Sequence, residues 1–237
     1  MKNALILAAG RSTRFGRNKL EEKFDGMSLP YLAALFALDN GAENIYLTLS
    51  RSAVKTDGAR IYHPVLDEVS KICDPIVRFQ SEDTYGPGAA ITTWAGVIND
   101  PFTVLFGDNF YSGKLPMSVR AVIGSEHDRD VWFTTLDKGL NPRNLQLAAV
   151  VEDYVVEKPH GQLEGKYFCG FVCFPRNYLN TIGELRKSDR GEIEITDMIN
   201  MSHCRCSLDL YKLGISWGDL TYEADCARIR ELVREGK

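Results

Sequence analysis

An α/β fold, with a mostly parallel sheet held between two layers of helices, is what the sequence predicts. Three observations carry that prediction. Apolar runs of strand length alternate with amphipathic stretches of helix length over residues 1–140. The runs are nearly continuous rather than alternating, as strands buried on both faces require. After about Asn141 the rhythm changes to closely spaced strands with little helix between them, which reads as an inserted antiparallel section.

Taken in order, strands are expected at residues 4–9, 44–50, 75–80, 103–106 and 130–136. Helices are expected between them at 29–40, 64–71, 87–97 and 117–125. The first helix has the clearest start: Ser28 offers a capping oxygen, and Pro30 falls in the first turn, where no N–H is needed. Further strands follow at 145–151, 154–157, 167–174 and near 208–214, with helices at 176–186 and 195–201. A last helix spans 222–235, with Thr221 as its cap. No repeat, low-complexity tract or proline-rich linker interrupts this order. The 237 residues therefore read as one domain, with 1–140 and 141–237 as its two parts.

Composition removes several functions. With 28 Lys+Arg against 32 Asp+Glu the net charge is −4, and hydrophobic residues make up 44%, so disorder and a disulfide scaffold are excluded. Coating nucleic acid needs clustered cations, and the mild negative balance argues against that role. No apolar run approaches the roughly 18–20 residues that span a bilayer, and no secretory leader opens the chain. A cytoplasmic protein is expected. Six cysteines (Cys73, Cys169, Cys173, Cys204, Cys206 and Cys226) form no C-x-x-C pair. His203 beside Cys204 and Cys206 is the only metal-like cluster, and it has no second pair to close a tetrahedral site. Free thiols are the expectation.

Five segments carry chemistry. The first strand runs into Leu7-Ala8-Ala9-Gly10-Arg11-Ser12-Thr13-Arg14-Phe15-Gly16, followed by Arg17 and Lys19. Small side chains let backbone N–H groups approach an anion while Arg and Lys neutralise it. A loop at the carboxyl end of a parallel strand borders the ligand crevice. The spacing is neither G-x-G-x-x-G nor a Walker A sequence. Leu105-Phe106-Gly107-Asp108-Asn109 puts a carboxylate at the end of a central strand, where a phosphate-bound cation can be held. Glu157-Lys158-Pro159, then Arg190 to Asp197, then the turn Trp217-Gly218-Asp219 complete the series.

In that order the segments resemble the sugar-1-phosphate nucleotidyltransferases, most closely the glucose-1-phosphate thymidylyltransferase and uridylyltransferase group. Leu7 to Lys19 is similar to the family's L-A-A-G-x-G-T-R-L loop and following lysine, and Leu105 to Asn109 to its G-D-N motif. Glu157-Lys158-Pro159, Gly191 to Asp197 and Trp217-Gly218-Asp219 match its later motifs. The resemblance covers nearly the whole chain.

It implies a Rossmann-like three-layer fold, with the antiparallel section on the substrate side, and an enzyme of nucleotide-sugar and polysaccharide biosynthesis. Its partners would be a nucleoside triphosphate, UTP or dTTP, and a sugar-1-phosphate, with Mg²⁺ as cofactor. Gly10, Arg14 and Lys19 would hold the triphosphate, with Ala8, Ser12 and Thr13 completing the nucleotide loop. Gln80 and Gly86 would read the base, since a glutamine amide can both accept from a pyrimidine N3–H and donate to a carbonyl. Asp108 and Asp219 would hold the Mg²⁺. Glu157 and Gly170 would meet sugar hydroxyls, and Lys158 and Arg190 the sugar phosphate. Arg14, Lys19 and Asp108 form the catalytic set, and Arg14, Lys19, Lys158 and Arg190 together predict a cationic pocket.

The chain departs from the family pattern at named points. Ser12 stands where glycine is usual, Asn18 where proline precedes the lysine, Ala149 for a glycine, and Cys169 where threonine is often found. The stretch from Leu147 to Glu157 is shorter than the family's. Lys23 competes with Lys19 for the lysine role, but spacing to the Asp25-Gly26 turn favours Lys19. Rival readings are a cytidylyltransferase for a small phosphorylated alcohol or amine such as phosphocholine, a non-catalytic regulatory homologue, and a glycosyltransferase. For the last, Asp128-Arg129-Asp130 has the D-x-D spacing but reads as a solvated turn before a strand. The oligomeric state is open, and a homo-oligomer is compatible with the sequence. One closing helix after Asp219 leads to the expectation of a minimal catalytic domain without a regulatory C-terminal region.

Overall fold

The computed structural model describes residues 1–124, 130–135, 148–151, 154–157, 166–181, 185–203, 208–212 and 214–236. In chain order the first half comprises β1 (Asn3–Ala8), β2 (Lys23–Phe24), β3 (Met27–Ser28), α1 (Leu29–Asp39), β4 (Asn44–Leu49), β5 (Lys55–Asp57), β6 (Arg60–Tyr62), α2 (Pro64–Val69), β7 (Ile76–Phe79), α3 (Pro87–Thr92), β8 (Phe102–Phe106), β9 (Asn109–Ser112) and α4 (Met117–Gly124). The second half comprises β10 (Asp130–Thr135), β11 (Ala149–Val151), β12 (Tyr154–Val156), β13 (Lys166–Phe174), α5 (Tyr178–Thr181), α6 (Ile195–His203), β14 (Leu208–Lys212), β15 (Ser216–Asp219) and α7 (Cys226–Glu235).

One sheet organises these elements, in the order β12-β11-β13-β8-β1-β4-β7, with β10 and then β14 continuing from β13. Strands β8, β1, β4 and β7 are parallel. The long strand β13 joins them antiparallel to β8, and also pairs antiparallel with β10 and β11. The predicted parallel core and antiparallel section are both present.

The unbroken apolar runs are explained by burial on both faces. Ile6, Leu105 and Phe171 point to one side, under Ala33, Phe36 and Ala37 of α1. Their neighbours Leu5, Val104 and Val172 point to the other, against Ile91 of α3, Trp94, and Met198 and Ile199 of α6. The six strand residues named are 0% exposed, and each such side chain stabilises the fold by about 1.5–3 kcal/mol. A third cluster joins Phe15, Phe24, Phe110 and Leu220 to Ile229 and Val233 of α7. It pins the far end of the glycine loop to the two-stranded β9–β15 sheet.

Helix α1 starts as predicted: the Ser28 hydroxyl accepts from the Tyr31 N–H, and Pro30 sits in the first turn. Other boundaries are corrected. The α-helix expected at 87–97 ends at Thr92, and the chain tightens into turns, with Trp94 N–H donating to Ile91 O at 3.0 Å and Ala95 N–H to Thr92 O at 3.1 Å. The helix expected at 176–186 is the single turn α5, and residues 185–188 are not helical. Residues 145–147 and 182–184 lie outside the described residues. Residues 217–219, read as a turn, belong to strand β15, which pairs antiparallel with β9. Thr221 does not cap the last helix: its hydroxyl donates to the Asp219 carboxylate, and the Asp225 carboxylate instead accepts from the Thr221 and Tyr222 N–H groups.

Candidate active site

The carboxyl ends of β1, β7 and β8 open onto one cleft of about 280 Å³. Twelve of the predicted site residues line it: Gly10, Ser12, Thr13, Arg14, Lys19, Gln80, Gly86, Asp108, Glu157, Gly170, Arg190 and Asp219. Ala8 lies buried beneath it at the end of β1, and Lys158 lies outside the described residues.

The glycine loop is shaped by its own side chains. A Cβ added to Gly10 would meet nothing within 4 Å, so its backbone faces open space. Ser12 takes a left-handed φ of +54°, a conformation that costs a non-glycine residue about 1–2 kcal/mol. Its hydroxyl offsets part of this by accepting from the Lys19 N–H at 3.2 Å. Asn18, where proline was expected, caps the next turn by accepting from the Leu20 N–H at 3.2 Å. Both departures therefore hold Lys19 in place. Arg11 stacks over the Tyr85 ring at 4.3 Å. Arg17 turns away to Glu22 and Glu223, and Lys23 pairs with Glu68, so Lys19 is the lysine that reaches the cleft.

Asp108 and Asp219 meet because β9 and β15 pair, setting Asp219 opposite Asn109, and because the Leu220 N–H donates to the Asp108 carbonyl at 3.1 Å. The Lys19 Nζ lies 2.6 Å from Asp108 Oδ2 and donates to the Leu220 carbonyl at 2.8 Å. Burial opposes the charge on Lys19, but Asp108 and Asp219 more than offset it and hold the ammonium above its ordinary range. Burial, and next the Asp108 charge, push the Asp219 carboxyl up to about 6, against the pull of Lys19 and the Thr221 hydroxyl. Asn109, opposite Asp219 in the strand register, has a buried Oδ1 without a partner.

Two carboxylates and a spare amide oxygen suit a hard cation that keeps water and phosphate in its remaining positions. No cluster of three or more His, Cys, Asp or Glu side chains able to hold a metal occurs among the described residues. Cys73, Cys169, Cys173 and Cys226 are free thiols, while Cys204, Cys206, Asp128 and Arg129 lie outside the described residues.

At the other end of the nucleotide side, Gln80 is 7% exposed. Its Nε2 donates to the Thr84 carbonyl at 3.2 Å and the Gly86 carbonyl at 3.3 Å. Both amide protons are thereby used. The Gln80 Oε1 is left as its acceptor. Gly86 has a φ of +111°, and a Cβ there would sit 2.5 Å from the Ile193 carbonyl oxygen. Glycine is thus required by the clasp between residues 85–88 and Ile193, where Ile193 N–H donates to Tyr85 O at 2.7 Å and Gly88 N–H to Ile193 O at 2.8 Å.

In the opposite half of the cleft, the described cation of the expected pocket, Arg190, is paired with carboxylates. Arg190 is held 2.9 Å from Glu157 and 2.8 Å from Glu194, with Glu192 at 4.0 Å. Burial raises the Glu157 carboxyl to about 7, with Arg190 pulling it down and Glu194 pushing it up. Burial likewise raises Glu192. Among the described residues, Arg11, Arg14, Lys19 and Arg190 face Asp108, Asp219, Glu157, Glu192 and Glu194 across the cleft. Phe106 and Phe168, edge to face at 5.9 Å, give this half an apolar wall. Gly170 (φ +70°) packs so closely that a Cβ would meet Asn109 Nδ2 at 2.7 Å.

Sequence reasoning passed over Tyr85, the aromatic wall and the Thr221 hydroxyl. It quoted Glu192, Glu194 and Asn109 within motifs without giving them roles.

No family model matches the chain. In sequence it is 25% identical over 228 residues to the bifunctional protein GlmU of Methanococcus aeolicus, covering 92% of this chain and 51% of that one. It is 26% identical over 210 residues to the UTP–glucose-1-phosphate uridylyltransferase AglF of Haloferax volcanii, covering 84% and 82%. The chain thus spans about half the length of the first relative and most of the second. In fold it is similar to a putative glucose-1-phosphate thymidylyltransferase from Bacillus anthracis solved with a sucrose, at TM-score 0.80 and 19% identity, covering 99% and 96%. It is also similar to the inositol-1-phosphate CTP transferase from T. maritima, at TM-score 0.77 and 16% identity, covering 99% and 96%. The resemblance to sugar-1-phosphate nucleotidyltransferases drawn from the ordered motifs holds in both sequence and fold.

Proposed function

We propose that this relative of the sugar-1-phosphate nucleotidyltransferases is itself such an enzyme. It joins a nucleoside triphosphate, UTP or dTTP, to a sugar-1-phosphate and releases pyrophosphate. The observation that carries the reading is the meeting of Asp108, Asp219 and Lys19 at the mouth of the Gly10–Arg14 loop.

The reaction asks for placement more than for proton transfer. The acceptor's phosphate oxygen is already anionic at neutral pH, so no general base is needed. It attacks the α-phosphorus in line; the bond to the bridging oxygen breaks, and pyrophosphate leaves with the electron pair. Bound at Asp108 and Asp219, Mg²⁺ supplies charge neutralisation for the triphosphate. Arg14 and Lys19 orient the triphosphate, and the Gly10 backbone gives it room. The Gln80 Oε1 accepts from the base edge, which suits the N3–H of uracil or thymine. Glu157 and the Gly170 backbone meet acceptor hydroxyls. Arg190 takes the acceptor phosphate once it leaves its carboxylates, a role the family resemblance also gives to Lys158.

The same Gln80 oxygen accepts equally from a cytosine amino group, and the surplus of carboxylates around Arg190 suits an amine-bearing acceptor. Together they favour, as a second reading, a cytidylyltransferase for a phosphorylated alcohol or amine. The test is pyrophosphate release with Mg²⁺, each nucleoside triphosphate in turn, and a panel of sugar-1-phosphates plus phosphocholine. Release with UTP or dTTP and a sugar-1-phosphate supports the first reading. Release confined to CTP and phosphocholine replaces it with the second. Asp108→Asn should lower turnover by about 10²-fold or more with the fold intact, the scale expected when a charge-stabilising group is lost.

A further inference from the structure

The Lys19 ammonium lies where a metal ion would compete with it. Its Nζ is 2.6 Å from one carboxylate of the Asp108–Asp219 pair and is hydrogen-bonded to the carbonyl of the residue after the other. The side chain is 13% exposed, so little water shares the site. Only the stem is free to move, because the backbone is fixed on two sides. The Lys19 N–H donates to Ser12 Oγ, and the turn that Lys19 opens is capped by Asn18. A four-carbon lysine stem can carry its charge to a new partner by rotamer change alone. A cation beside the pair relieves their repulsion, since two like charges at close range disfavour each other.

We propose that Lys19 is the built-in counter-ion of the Asp108–Asp219 pair in the empty protein, and that a divalent cation binds by displacing its ammonium into the triphosphate cleft. This rests on the reading of Asp108 and Asp219 as the metal-holding pair. One residue then links two binding events. The metal frees the lysine that grips the triphosphate, and the triphosphate, by holding the lysine, keeps the metal's place open. By linkage each ligand tightens the other. Without nucleotide the metal binds weakly, because it has to replace an internal charge.

The test is Mn²⁺ binding by calorimetry to the full chain, without and with a nucleoside triphosphate. Lys19→Met should bind Mn²⁺ alone about ten-fold or more tightly than the unaltered protein, as loss of one competing unit charge at contact range implies. It should also lose most of the tightening that triphosphate brings. Asp108→Asn or Asp219→Asn, added to Lys19→Met, should abolish that gain. If Lys19→Met binds no more tightly while the aspartate variants still lose binding, the exchange is wrong and the metal assignment stands. If binding ignores both aspartates, the metal assignment itself fails.

A second measurement needs no variant: acylation of lysines in the unaltered protein, read by mass spectrometry. Mg²⁺ should raise labelling of Lys19 severalfold and leave Lys23, paired with Glu68, unchanged. Unchanged or reduced labelling of Lys19 would overturn the proposal.

Discussion

Ser12 sits in a conformation that glycine adopts freely, yet its hydroxyl ties the loop to Lys19. The two effects are each about 1 kcal/mol and opposite in sign. Ser12→Gly should therefore leave the unfolding midpoint nearly unchanged, while Ser12→Ala, which keeps the strain and loses the bond, should destabilise by about 1 kcal/mol in denaturant titration. Glu157 offers a pH-dependent test. Its carboxyl is raised to about 7, so the folded state binds the proton more tightly than the unfolded one. The stability this brings is complete below the ordinary carboxylate range and is lost as pH rises through about 7. The Michaelis constant for the acceptor should show an inflection near the same pH, and Glu157→Gln should remove it. A profile that keeps its inflection in the variant would assign it elsewhere. At this scale the sequence was only partly readable. Arg190 was visible within its motif, but not that three glutamates from two segments would claim it.

Among the elements, the clasp between the start of α3 and the segment before α6 does most to shape the nucleotide side. Gly86→Ala puts a Cβ 2.5 Å from the Ile193 carbonyl oxygen at a φ of +111°, and such strain costs about 1–3 kcal/mol or more. A fall of that size in thermal unfolding is expected, along with weaker triphosphate binding, because Gln80 also leans on the Gly86 carbonyl. On the opposite side of α3, the indole of Trp94 donates to Thr48 Oγ1 at 2.8 Å, locking the helix end to β4. Trp94→Ala should destabilise by about 3–5 kcal/mol, as for other buried aromatic deletions. The long parallel strands were legible because burial on both faces leaves unbroken apolar runs. The β9–β15 pair was not, because Asn109 follows directly on Gly107-Asp108 and Gly218 with Asp219 carries turn composition. Only pairing across the fold makes Trp217-Gly218-Asp219 a strand, and that pairing brings Asp219 to Asp108.

For the whole molecule, the mild net charge of −4 conceals a cleft in which cations and carboxylates already neutralise one another. The glycine loop after β1, Gln80 after β7 and Asp108 after β8 converge because parallel strands end on one side, whereas Glu157, Arg190 and Asp219 lie on antiparallel or loop segments and were named through the family resemblance. Composition could not show that the cations arrive paired. Lys19 and Arg190 are held by carboxylates, and the proposed reaction requires both to change partners when substrates bind. The central claim, that this cleft transfers a nucleotidyl group, is tested most directly by ³¹P NMR of the protein with Mg²⁺, UTP or dTTP, and a sugar-1-phosphate. Pyrophosphate and a new diphosphate diester should appear in equal amounts. Loss of triphosphate as orthophosphate, or turnover only when a preformed nucleotide sugar and an acceptor are supplied, would contradict it.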